Sequence, residues 1–140
     1  MKSSIATGLA VAVLGLAFAA AAQGGSAASA GIYSKAQAER GMKLYADACA
    51  RCHGASLEGL DVAPPLTGAR FLGNYVGQPA AALASRIRTS MPLDMPGSLG
   101  LQASADLTAA LLAANGYPAG GGELPSSSSA QQTITIDAIK

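Results

Sequence analysis

This chain of 140 residues has no tryptophan, two phenylalanines, four tyrosines and one histidine, and its aromatic content is 4%. A core built from such side chains alone is short of large apolar bodies. Charge is also scarce. Asp, Glu, Lys and Arg make up 12%, with nine basic residues against eight acidic ones, so there is no basic field to hold a nucleic acid. Two cysteines and one histidine cannot supply the four Cys/His ligands of a structural zinc site without help from a carboxylate. The length leaves room for one small domain and no second core.

What is present is concentrated in Cys49-Ala50-Arg51-Cys52-His53. At the Cys-x-x-Cys-His spacing, two thiols add to the vinyl groups of a haem and the adjacent imidazole approaches the iron from one face. Competing readings are a zinc site, a dithiol redox pair and a structural disulfide. A thioredoxin-like pair opens a helix in a βαβ context, whereas this pair ends a helical stretch with no strand pattern before it. With one histidine in the chain, no other imidazole competes with His53. A haem would also be the large apolar body that the aromatic count lacks.

Met1-Lys2, the uncharged stretch Ile5 to Ala22 and the small residues Ala20-Ala21-Ala22 read as a secretory signal peptide cleaved after Ala22. Ala28-Ser29-Ala30 is a second possible site, and an uncleaved membrane anchor is the alternative. Without Lys2 the mature chain is formally neutral. The 50% hydrophobic content is inflated by the signal and by alanine, and does not indicate a membrane protein.

Ser34-Lys35-Ala36-Gln37 has the pattern of a capping box, which predicts a helix through about Ala48 that delivers Cys49. Gly41 within it costs roughly 1 kcal/mol relative to Ala, so close approach by another backbone is expected; an unremarkable surface glycine is the alternative. Residues 54–77, with Pro64-Pro65, read as an ordered loop. A metal-ligating histidine needs an acceptor for its other ring N–H, and a carbonyl of this loop, Pro64 among the candidates, would serve. Pro79 suits the first turn of a helix to about Ser90. A further helix spans about Gln102 to Ala114 and stops at Asn115-Gly116. Residues 120–140 read as a Gly/Ser-rich linker and tail, with Thr133 to Ile136 alternating like a strand that has no obvious partner. The expected organisation is therefore a signal peptide over 1–22, with 30 as the latest cleavage position, a domain over 31–119 and a tail over 120–140.

A thioether opposite His53 would complete a His/Met pair on the iron. Of four methionines, Met1 leaves with the signal and Met42 lies before Cys49, so Met91 and Met95 remain; Met91 is preferred. Either could instead be core filler.

These pieces together resemble the class I cytochrome c family, and in particular small bacterial periplasmic cytochromes associated with quinoprotein and related dehydrogenases. The resemblance runs from about Ala36 to Pro118. It rests on Gly41-x-x-x-Tyr45-x-x-x-Cys49-x-x-Cys52-His53-Gly54, Ala63-Pro64-Pro65-Leu66-x-Gly68, Ile87-Arg88-Thr89-Ser90-Met91-Pro92, Pro96-Gly97-Ser98-Leu99 and Ala114-Asn115-Gly116-Tyr117-Pro118. It implies a small all-α cytochrome c fold around one covalently attached haem c, with the first and last helices crossing near Gly41 and Tyr45. It also implies His53 as proximal ligand, the Pro64 carbonyl as its acceptor, Leu66 and Ile87 as haem contacts, and Met91 as distal ligand. Two departures stand out. Met95 is not expected at its position, and alanines at Ala109 and Ala110 replace an aromatic residue, which predicts a looser crossing.

The function so implied is electron transfer by an exported, periplasmic carrier between a dehydrogenase and a terminal oxidase or another cytochrome, through small transient contacts. One alternative is a dedicated cytochrome subunit of a dehydrogenase complex, docked through the tail as an added strand. A ligand-binding or peroxidase-like haem protein is a third possibility. It requires an open distal site, and the chain has no second histidine, although Arg86 or Arg88 could lie near the haem.

Overall fold

In the computed structural model, which describes residues 25–139, Ser34 is extended and its hydroxyl accepts the amide of Gln37 at 3.1 Å, starting helix α1 over Lys35–Ala48. The predicted signal peptide over 1–22 lies outside the described residues. The capping box is only half used. The Gln37 side chain is fully buried and pairs with Leu124 instead, donating to its carbonyl at 3.0 Å and accepting its amide at 2.7 Å. A short helix α2, Ala50–His53, follows after one residue.

Residues 54–77 are not loop throughout, as was expected, because helix α3 occupies Gly68–Tyr75. No side-chain cap marks its start, and Phe71 is its one fully buried residue, so neither a start signal nor a long apolar stripe announces it. Helix α4 covers Ala80–Ser90, with Pro79 at the N-cap and Leu83 and Ile87 buried one turn apart. Helix α5 covers Leu101–Ala114 and ends at Gly116 in the left-handed region (φ +88°). Beside that end Asn115 reaches back, donating to Leu66 O at 2.9 Å and accepting the Gly68 amide at 3.0 Å.

The core centres on the crossing of α1 and α5. Ala109 and Ala110 are completely buried, and Gly41 sits directly against the α5 backbone. The expected loosening is not seen. Small side chains on both helices let the backbones approach closely. Arg40 clamps the crossing, holding the buried Asp106 carboxylate with two bonds of 3.1 Å and reaching Glu123 at 2.9 Å.

The terminal segments depart most from expectation. Of the predicted linker and tail over 120–140, the described residues 120–139 are part of the domain. Strand β1, Ser26–Ala27, pairs in parallel with β2, Ile134–Thr135, in the register Ser26 to Ile134 and Ala27 to Thr135. Between them in sequence, helix α6 covers Ser128–Gln132. Leu124, Gln131, Ile134 and Ile136 are buried, and Ile136 exchanges backbone hydrogen bonds with Gln78 and Gly77 at 2.9 and 2.7 Å. Gly120 serves contact rather than flexibility: a Cβ there would lie 1.9 Å from Gly31 O. Cleavage after Ala30 would remove β1 and the fully buried Ala28, so residues 26–30 also belong to the folded body. Among the described residues no helix is long and apolar enough to cross a membrane.

Candidate functional site

Cys49 is both the C-cap of α1 and the N-cap of α2, with φ −118° and ψ −36°. The bend is held by the Cys49 amide donating to Tyr45 O at 2.9 Å and the His53 amide donating to Cys49 O at 3.0 Å. Gly54, at φ +85°, ends the short helix. Its carbonyl accepts the Tyr45 hydroxyl at 2.5 Å, and burial pushes that hydroxyl's pKa up to about 12, with smaller contributions from Cys49 and Glu58. Tyr45 therefore remains a neutral donor that fastens α1 to the turn after His53.

The His53 ring is 8% exposed, and its Nδ1 lies 2.8 Å from Pro64 O. A carbonyl only accepts, so Nδ1 carries the proton and Nε2 keeps the free lone pair. The Pro64 carbonyl is placed by its own loop. The Leu66 amide donates to Leu57 O at 2.9 Å, and Gly59, at φ +76°, would bring a Cβ to 2.5 Å from the Pro65 nitrogen.

Cys49, Cys52 and His53 open on a cavity of about 680 Å³, within the roughly 300–1,000 Å³ usual for cofactor and ligand sites. Pro64, Leu66, Ile87 and Met91 line the same cavity, so the sequence-selected residues converge on one place. Met95 does not join them; it is 59% exposed. Of the two arginines considered, Arg86 lines the cavity and Arg88 does not. Sequence reasoning missed Phe71 and Tyr75 on α3, Leu83 on α4, Leu107 and Leu111 on α5, and Arg70. The Phe71 and Tyr75 rings pack at 5.0 Å with a 45° tilt; their four-residue spacing was the available signal.

The donor set decides among the competing chemistries. No disulfide joins Cys49 and Cys52, and burial, with Cys52 adding to it, raises the pKa of the Cys49 thiol. A catalytic dithiol needs the opposite shift. Among the described residues no three His, Cys, Asp or Glu are gathered as a metal cluster, which removes the zinc reading. Two thiols, one oriented imidazole and a thioether on a mainly aliphatic and aromatic wall fit a haem.

A family model described as cytochrome c matches residues 38–109, which takes in most of α1, the Cys-x-x-Cys-His turn, the proline loop, α3, α4 and most of α5. The chain belongs to the cytochrome c family. Haem is the cofactor of this family, and haem-based electron transfer is its chemistry. This cytochrome c is also similar to a chain of the crystal structure of the sulfane dehydrogenase SoxCD from Paracoccus pantotrophus. The two are 27% identical with a TM-score of 0.52 over 79% of the present chain, which spans 60% of the length of that chain. No curated protein gives a match.

Proposed function

We propose that this cytochrome c is an exported electron carrier of the periplasm, with one haem attached covalently through Cys49 and Cys52 and its iron held by His53 and Met91. The convergence of those four side chains on one largely apolar cavity carries the reading. Haem bound there supplies a one-electron ferric/ferrous couple. His53 offers Nε2, while its Nδ1–H bond to Pro64 fixes the ring and strengthens the donor. The Met91 thioether raises the potential. Leu66, Ile87 and the α5 leucines exclude water, and Arg70 and Arg86 place positive charge where haem propionates can be met. With His53 and Met91 both holding its iron, a bound haem would leave no open position for a substrate.

The partners on this reading are a periplasmic dehydrogenase as donor and an oxidase or another cytochrome as acceptor, met through small transient contacts. Association with a membrane would arise only through an uncleaved N-terminal segment. The likeness to a chain of a sulfane dehydrogenase structure favours a second reading, a dedicated cytochrome subunit of a dehydrogenase. Such docking would not use β2 as a donated strand, since β2 is already paired with β1. Fractionating the periplasm of the native host separates the two. A free carrier elutes as a haem-staining monomer that is reduced by added dehydrogenase fractions; constant co-elution with a catalytic subunit favours the second reading, and a protein that no dehydrogenase fraction reduces refutes both.

A further inference from the structure

The segment that follows Met91 is held almost entirely by itself. The Met95 amide donates to Pro92 O at 3.0 Å and the Ser98 amide to Met95 O at 3.2 Å, and among the described residues no backbone–backbone hydrogen bond joins 92–99 to any other segment. Leu93 and Met95 are 70% and 59% exposed, and only Leu99 packs against the core. One polar contact crosses to the rest of the molecule, an ion pair between Arg51 Nη2 and Asp94 Oδ2. Arg51 stands on α2 between the two cysteines, and both partners line the cavity together with Cys52, His53 and Met91. The pair therefore joins the wall that carries His53 to the segment that follows Met91.

We infer that Arg51 is a positioning residue whose ion pair with Asp94 latches the Met91 segment against the cavity and limits the access of small ligands to it. The inference rests on Met91 being the distal ligand, as proposed above. An exposed pair of this kind adds little to global stability. Local opening is a different equilibrium, set by the few contacts that a segment makes beyond itself. Among the described residues the pair is the one polar tie, so losing it raises the open population by about two- to fivefold. Both side chains are about half exposed, at 56% and 50%, so salt screens the latch.

Hydrogen exchange on the haem-loaded protein reads the latch directly at the Met95 and Ser98 amides. Asp94→Ala is expected to speed their exchange two- to fivefold at low salt while leaving the Ala38 amide of α1 unchanged. Added salt moves the wild type toward the variant, and the charge swap Arg51→Glu with Asp94→Arg restores slow exchange. Unchanged exchange at Met95 and Ser98 in Asp94→Ala overturns the inference. Carbon monoxide binding to the ferrous protein keeps the underlying reading separate. If the wild type excludes carbon monoxide, Met91→Ala admits it and exchange does not respond to Asp94→Ala, the latch falls and Met91 stands as ligand. If exchange responds but Met91→Ala leaves carbon monoxide binding unchanged, Arg51 and Asp94 hold the segment, but the ligand assignment falls and the control of ligand access falls with it.

Discussion

Gly41 of α1 lies so close to Asp106 of α5 that a Cβ on it would come within 1.9 Å of the Asp106 carbonyl oxygen and 2.8 Å of Ala110 Cβ. The obstacle is mostly backbone, which cannot rotate aside. Gly41→Ala should therefore destabilise the fold by about 1–3 kcal/mol, as overpacking does, despite the roughly 1 kcal/mol that alanine gains in a helix. Urea denaturation of the haem-loaded protein measures this; a stabilised variant would show that α1 and α5 do not cross as described.

The same crossing carries the most informative acid in the fold. Burial alone would raise the Asp106 carboxyl, but hydrogen bonds from Arg40, Gln102 and Gln37 and the Arg40 charge outweigh it and hold the group below its ordinary range. A depressed folded-state pKa stabilises the protein above the unfolded value, about 3.9, and that stability is lost as pH falls through the folded one. Thermal denaturation between pH 6 and pH 2 should accordingly show a loss of stability beginning near pH 4. Asp106→Asn should be less stable at pH 6 and have a flatter acid limb; an unchanged acid limb would place the sensitivity elsewhere.

Ile136, 1% exposed, tests the closure of the two ends. Ile136→Ala should cost about 2–5 kcal/mol if the terminal segment is core, and nearly nothing if it is a free tail. Truncation at 123, or removal of residues 26–30, should give protein that is loose or fails to fold.

Gly59 has a positive φ and abuts the Pro65 nitrogen. Gly59→Ala should displace the Pro64 carbonyl, weaken its bond to His53 Nδ1 and so lower the donor strength of the imidazole. Less donation disfavours ferric iron, and voltammetry should find the reduction potential shifted upward. A downward shift would contradict the role given to Pro64.

The sequence was legible where a physical constraint is local. Ser34 caps the amide three residues on, Asn115-Gly116 stops α5, and Cys49, Cys52 and His53 are held by one turn of helix, so spacing alone placed them. The placing of Met91 on the cavity wall and of the Pro64 carbonyl beside His53 was also reachable, because each belongs to a short proline-containing element. Long-range pairing left no such trace. The partner of β2 lies more than a hundred residues away in β1, the Gln37 side chain abandons its own helix for Leu124, and Gly120 looks like linker until Gly31 is seen against it. Helix α3 was hidden for a different reason: glycines at both Gly68 and Gly73 mask an element whose only deep anchor is Phe71.

On the proposed function, Cys49, Cys52, His53 and Met91 hold one covalent haem in a closed site. The most direct test is the mass of the exported protein together with its oxidised and reduced absorption spectra, recorded with and without carbon monoxide. Expected are the mass of the mature chain plus one haem, loss of that addition in Cys49→Ala with Cys52→Ala, and a low-spin ferrous spectrum that carbon monoxide leaves unchanged. A chain that matures without covalent haem, or a ferrous spectrum that carbon monoxide converts at once, would contradict the proposed function.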